Sequence, residues 1–264
     1  MTTNTHGFML KRLLATTLIW GSVSFLTFVL FLVMLLLTAL TFPFDTVRRR
    51  QHSQCFWWSD AVISANRYWN VTVLGLEHIN FNRACVIVAN HQSLADIVML
   101  FQTRMQFKWI AKDSLFRTPV LGWCLSLAKH VRLKRNELSS IRKSYQEASA
   151  WIDRGVSVMF FPEGTRSESG ELQDFRNGAF KLAFKTKVAV LPIAIHGTVN
   201  AMPKGKWFSS SHGAIRMTVL PLLEPDDFQS RGADGLKKAA WEMIHNALAV
   251  DQPSGSEGPV RHSM

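Results

Sequence analysis

Hydrophobic and polar positions divide the chain into two regimes. From Leu13 to Phe42, 30 consecutive positions carry no charged residue. From Asn70 onward, short apolar runs alternate with stretches whose apolar residues recur at helical spacing. Runs rich in β-branched residues predict strands over 71–76, 84–89, 107–111, 156–161, 188–195 and 214–220. Helical spacing predicts helices over 94–105, 119–128, 137–154, 175–185 and 235–250, with Pro119 in a first turn and Gly155 as a C-terminal stop. The run Ala84–Ala89 is apolar throughout, as expected of a strand covered on both faces. Strands alternating with helices give the α/β class, with a mixed central sheet flanked by helices behind an N-terminal apolar membrane segment.

As a helix the uncharged run is about 45 Å long, more than the roughly 30 Å hydrocarbon core of a bilayer. It is twice the usual length of a signal-peptide core, and no clean small-residue cleavage pattern follows it, so a retained anchor is expected. A single tilted span fits the pattern, and so does a pair of helices broken at Gly21-Ser22. Lys11-Arg12 precede the run and Arg48-Arg49-Arg50 follow it, which leans the Arg48 side toward the cytoplasm. Phe56-Trp57-Trp58 and Tyr68-Trp69, within 51–70, point to an interfacial helix at headgroup level, with a core helix as the alternative. The chain thus divides into an anchor with basic flanks over 1–50, an α/β domain over 51–250, and a Pro/Gly/Ser-rich tail over 251–264 expected to be disordered.

Charge narrows the partners. The net charge is +11 and the pI about 10, which suits phosphate-rich partners: nucleic acid, an anionic membrane surface or an anionic substrate. Cys55, Cys85 and Cys124 form no C-x-x-C pair, and the 9 histidines show no metal-ligand spacing. No zinc site, disulfide framework or other metal centre is expected. No Gly-x-Ser-x-Gly elbow occurs, so a covalent serine step of that type is not expected.

The strand at 84–89 stops at Asn90-His91, and Ser93-Leu94-Ala95-Asp96 then opens a helix with a capping-box pattern. His91 therefore sits at the carboxyl end of a strand, where ligands bind in open α/β sheets. Two readings of His91 and Asp96 remain open on local pattern. In one, Asp96 caps the helix and His91 is an exposed loop residue. In the other they form a dyad, the turn folding His91 back over the first helical turn, with the carboxylate fixing the tautomer and the second ring nitrogen free to take a proton from a hydroxyl. A second cluster, Phe161-Pro162-Glu163-Gly164-Thr165-Arg166-Ser167, follows the strand at 156–160. Its Gly164 allows close backbone approach, and its Arg166 offers a planar fork for phosphate.

These two clusters resemble the first and third motifs of the glycerolipid acyltransferase family, as Asn90-His91-Gln92-Ser93-x-x-Asp96 and Phe161–Ser167. Lys112-Asp113-Ser114-Leu115 with Pro119, Gly122 and Arg135 is similar to the intermediate motif, and Val190–Ile195 followed by Gly197-Thr198 is similar to the fourth. The family often has Glu where Asp113 stands, usually Gly in place of Lys129, and Asp in place of Lys134. The resemblance implies a membrane-bound enzyme moving a fatty acyl group from acyl-CoA or acyl carrier protein to the free hydroxyl of lysophosphatidic acid. His91 would be the base and Asp96 its orienting partner. Glu163, Gly164, Thr165 and Arg166 would bind the acceptor, with Lys112 and Arg135 adding positive charge. It implies no metal or organic cofactor, no nucleic acid partner, and action on membrane lipids at the cytoplasmic membrane with the site on its cytoplasmic face. The alternatives are another lysolipid acceptor such as a lyso-ornithine lipid, a lipid hydrolase, and a non-catalytic anionic-lipid-binding module.

Overall fold

Strand β2 (Val86–Ala89) has no exposed residue, because it sits in the middle of the sheet with both faces covered. The computed structural model describes residues 3–66, 69–201 and 213–250. Around β2 lie β1 (Trp69–Leu74), β3 (Phe107–Lys112), β4 (Val131–Leu133), β5 (Ser157–Phe160), β6 (Val190–His196) and β7 (Gly213–Val219), in the order β1-β7-β6-β2-β5-β3-β4. β6, β2, β5, β3 and β4 run parallel, whereas β7 is antiparallel to β6. The sheet is mixed, as expected, and the carboxyl ends of the five parallel strands share one edge.

The helices are α1 (Thr3–Thr41), α2 (Arg49–Ala65), α3 (Ala95–Phe101), α4 (Leu121–Leu127), α5 (Leu138–Asp153), α6 (Gly178–Thr186), α7 (Thr198–Ala201) and α8 (Gly232–Val250). Val86 and Val88 face a core shared with α5, α6 and α8, while Ile87 and Ala89 face one shared with α2 and α3. This alternation follows from the two-residue period of a strand. α5 buries Ser144, Ala148, Trp151 and Ile152 along one stripe and stops before Gly155, whose φ of 75° admits the left-handed turn.

Several expectations are corrected. α1 runs unbroken through Gly21-Ser22, because two helix-compatible residues flanked by apolar neighbours do not break a helix whose backbone bonds are internal. The chain turns instead at 42–48, and α2 folds back along α1, with Trp58 Nε1 donating to Thr27 Oγ1 at 3.1 Å. The helix expected over 94–105 ends at Phe101, with Arg104 in the left-handed region. Part of the basic stretch 129–135 is an edge strand, β4, paired with β3. The strand expected over 71–76 ends at Leu74, since Gly75 takes a φ of 74°. Tyr68 and the tail over 251–264 lie outside the described residues.

Lys108 is 1% exposed in the middle of β3. Its Nζ donates to the carbonyls of Val47 and Ala128 at 2.7 and 2.6 Å and lies 4.7 Å from the centroid of the Trp151 ring. One ammonium thus joins the helical turn at 42–48, the end of α4 and the sheet, and burial pushes its pKa down to about 7. Lys129, just past α4, has a φ of 53°, the left-handed position where glycine is favoured, and its Nζ reaches toward Thr46 O at 3.4 Å. Its side chain therefore points to the helical turn, and Lys134 pairs with Glu137 at 3.1 Å. Lys129→Gly should relieve the left-handed strain and raise stability by up to about 1 kcal/mol, measured by chemical denaturation, without changing the ranking of acceptors.

Candidate active site

Five strand ends converge at the carboxyl edge: Asn90 to Asp96 after β2, Lys112 at the end of β3, Arg135 after β4, Pro162 to Ser167 after β5, and Gly197-Thr198 after β6. The chain must leave β2 sharply here, and Asn90 makes that possible. Its amide donates to Ile195 O at 2.8 Å and accepts from Ile195 N–H at 2.7 Å, continuing the pairing to β6 through a side chain. His91 can then turn off the sheet.

Asp96 is fully buried in the first turn of α3. Its Oδ2 accepts from His91 Nδ1 at 2.8 Å and from the backbone N–H groups of Gln92 and Ser93 at 2.7 and 2.8 Å. Its Oδ1 accepts from the hydroxyl of Thr198 at 2.5 Å. An ionised carboxylate can only accept, so the imidazole proton lies on Nδ1 and the Nε2 lone pair is free. The ring is held flat against Phe161, with centroids 3.8 Å apart and an interplanar angle of 11°, and Phe161 in turn stacks on Trp109. The His91 side chain keeps 16% exposure, whereas that of Asp96 has none. The dyad geometry is therefore present, and the capping reading is present with it: Asp96 holds the helix start and the histidine together.

Glu163 is a second buried carboxylate. Its Oε1 accepts from His91 N–H at 2.6 Å and its Oε2 from Gln173 N–H at 3.1 Å. Burial pushes its pKa up to about 7, with the Asp96 charge adding to the rise and the two N–H groups opposing it. Both of its oxygens face backbone rather than the open crevice. Ser167 N–H donates to His91 O at 2.8 Å, and Gln92 Nε2 donates to Gly170 O at 2.8 Å. The turn after β5 is thus laced to the turn after β2.

Gly164 has a φ of 77°, and a Cβ there would come within 2.8 Å of Arg176 Nε. Arg176 is anchored over this turn by its N–H bond to Pro162 O at 2.9 Å. Arg166 lies two residues beyond Gly164 and is half-buried, while Thr165 and Lys112 are exposed. Burial lowers the pKa of Arg135, and the neighbouring Arg176 guanidinium lowers it further, so these two cations share one region. Among the described residues, Arg135, Arg166 and Arg176 have no carboxylate partner. Arg176 and Thr198 are the functional candidates that the sequence reading did not assign. The spacing gives no signal for Arg176, which arrives through the loop after Ser167. Thr198 had one, a hydroxyl directly after a glycine at the end of a buried strand.

Residues 70–196 match the acyltransferase family model. The chain is 36% identical over 221 residues to a 1-acyl-sn-glycerol-3-phosphate acyltransferase of Chlamydomonas reinhardtii, covering 83% of this chain and 65% of that protein. It is 37% identical over 193 residues to a chloroplastic enzyme of the same name from Brassica napus, covering 71% of this chain and 55% of that protein. It thus spans less than two thirds of the length of either relative. The crystal structure of the 1-acyl-sn-glycerophosphate (LPA) acyltransferase PlsC of Thermotoga maritima is similar with a TM-score of 0.79 and 26% identity, covering 94% of this chain and 99% of that one. The matched segment 70–196 holds both His91 and the Phe161–Ser167 turn, and the chain belongs to the glycerolipid acyltransferase family.

Proposed function

We propose that the protein is a membrane-bound acyltransferase that moves a fatty acyl group from a thioester, acyl-CoA or acyl carrier protein, to the free hydroxyl of lysophosphatidic acid, giving phosphatidic acid. The observation that carries the reading is the free Nε2 of His91, opposite an imidazole N–H bound to buried Asp96, at the strand edge that also carries Arg135, Arg166 and Arg176, which have no carboxylate partner among the described residues. The names of the relatives point to the same acceptor. For the membrane, the support is α1, whose stretch Thr16–Thr41 is long and apolar enough to cross a bilayer and is largely exposed, with Arg49 and Arg50 exposed just beyond it.

In this mechanism His91 Nε2 takes the proton of the acceptor hydroxyl as its oxygen attacks the thioester carbonyl. A C–O bond forms and the carbonyl oxygen becomes an oxyanion. Collapse of the tetrahedral intermediate breaks the C–S bond, and the imidazolium returns its proton to the departing sulfur, releasing a free thiol. Asp96 stabilises the transient imidazolium and keeps the proton on Nδ1 in the resting state. Thr198, Gln92 N–H and Ser93 N–H hold Asp96 in place. The phosphate of the acceptor is bound by Arg166 and Arg176, with Arg135 and Lys112 at the rim, since planar guanidinium groups match phosphate oxygens in pairs. Glu163 is assigned to holding the two turns together rather than to the phosphate, because a carboxylate facing a phosphate would repel it. The reaction needs no metal or organic cofactor.

The direct test is purified protein with labelled acyl-CoA or acyl carrier protein against a panel of lysolipids, including lysophosphatidic acid and lyso-ornithine lipid. Labelled phosphatidic acid as the main product supports the reading, and a preference for another acceptor overturns its substrate. In the same assay His91→Ala should lower the rate 10²–10⁴-fold, and a variant keeping more than about a tenth of the activity would remove His91 from the chemistry.

Thr198→Val removes the hydroxyl on Asp96 Oδ1 with little change of shape. It should lower kcat about tenfold or more while KM for the acceptor stays near its original value, and Thr198→Ser should restore most of the loss. A matching rise in KM, or no rescue by serine, would mark Thr198 as a packing residue.

Glu163 has a folded pKa of about 7 against an ordinary value of 4.5. Its protonated form is the one the fold favours, so its contribution to stability is full below pH 4.5 and is lost as the pH rises to about 7. Glu163→Gln cannot titrate. The melting temperature of the original protein minus that of the variant should fall between pH 4.5 and 7 and then level off. A difference independent of pH would place Glu163 ionised throughout.

A further inference from the structure

Phe31 of α1 and Trp123 of α4 pack with ring centroids 5.2 Å apart. Met34 of α1 packs with Cys124 and Ala128 in the same small cluster, so α4 is fixed along the flank of α1. Phe31 is not at the end of the apolar stretch of α1. Leu18 lies thirteen residues before it, about 20 Å along a helix, and Thr41 ten residues after it, about 15 Å. Exposed apolar side chains occur on both sides, at Leu18, Phe25, Leu32, Leu36, Leu40 and Phe44. Whatever medium bathes that stretch must also bathe a ring touching its midpoint.

α4 is suited to that medium. Trp123 is 50% exposed and Leu121 39%, and Leu115 is exposed in the turn just before α4. Arg49, Arg50 and Lys129 are exposed near the helical turn at 42–48, and among the described residues their side chains have no carboxylate partner, Asp45 being taken up by the backbone N–H groups of Arg49 and Arg50. An apolar helix face with an aromatic side chain, with cations toward the end of α1, matches one leaflet of a bilayer from its acyl chains to its anionic headgroups.

We propose that α4, with the turn before it, is a second membrane-contacting element that seats the domain in the bilayer surface beside α1, rather than leaving it above the bilayer on a stalk. The inference rests on the membrane-bound reading given above. It places the exposed apolar face of α4 against the acyl chains of one leaflet, so a lysolipid can reach the crevice from the side while its acyl chain stays in lipid.

The test uses full-length protein with an environment-sensitive fluorophore on Leu121→Cys, the native cysteines being buried. A matching label on Lys238→Cys in α8 serves as the reference. Vesicles of phosphatidylcholine with phosphatidylglycerol are added, and flotation reports binding of the whole protein. The label at 121 should brighten and shift to the blue, and lipids brominated on their acyl chains should quench it, while the label at 238 stays unchanged. Flotation with an unchanged label at 121 overturns the role of α4 and leaves the membrane-bound reading standing. A failure to float overturns both. A label at 121 already shielded without vesicles, in a concentration-dependent way, identifies a protein contact and overturns the lipid assignment. As a second readout, Leu121→Glu should lower activity on vesicle-borne lysolipid about tenfold and leave activity in detergent micelles intact. Equal loss in both media would overturn the docking role.

Discussion

The fold is organised at its functional edge by one buried negative charge. Asp96 is removed from water, and an isolated carboxylate in that position would be very costly. It is stabilised because two pieces of chain bring four donors to it: the turn after β2 through His91 Nδ1 and the N–H groups of Gln92 and Ser93, and the start of α7 through the Thr198 hydroxyl. Hydrogen bonds to a charged group contribute about 1.5–3 kcal/mol each, so the set outweighs what any one of them could offset. Satisfying the charge and orienting the imidazole are the same act. Glu163 repeats the device one strand over, its two oxygens tying His91 and Gln173 backbone together. The two turns that face each other across the crevice are therefore held by buried carboxylates rather than by packing alone.

The basic groups answer to the opposite constraint. Arg176 lies over Gly164, which must therefore lack a side chain, with Arg135 near Arg176 and Arg166 two residues beyond Gly164, and among the described residues none of the three has a carboxylate partner. In the proposed function these cations are the groups that would receive a negatively charged ligand at the same strand edge as His91. Lys108 shows what the same chain does with a cation that has no ligand to wait for: it is buried on two carbonyls and an aromatic ring, and joins the N-terminal helices to the sheet.

The main strands, the alternation with helices and the two strand-end clusters were legible because each rests on local pattern: a run of buried β-branched residues, a capping sequence, a glycine after a strand. The end of α1 was signalled by Pro43, but the fold-back of α2 along α1 was not, because it rests on contacts such as Trp58 to Thr27 between segments far apart in sequence. β4 was hidden by its charge, since a three-residue edge strand needs only one buried residue, Val131, and its other positions can be basic. Lys108 in mid-strand, Arg176 over Gly164 and Thr198 on Asp96 depend on contacts between segments far apart in sequence. Lys129 stands where the family usually has Gly, and nothing in its local pattern shows that its left-handed backbone and its reach toward Thr46 put it at the helical turn.

The arrangement stands or falls on which nitrogen of His91 carries the proton. Nitrogen-15 NMR of histidine-labelled protein in detergent, with His91→Gln used to assign the resonance, reads this directly at a pH where the ring is neutral. A protonated Nδ1 hydrogen-bonded to Asp96 and a bare Nε2 are predicted. A proton on Nε2 with Nδ1 bare would contradict the geometry and leave no base facing the crevice.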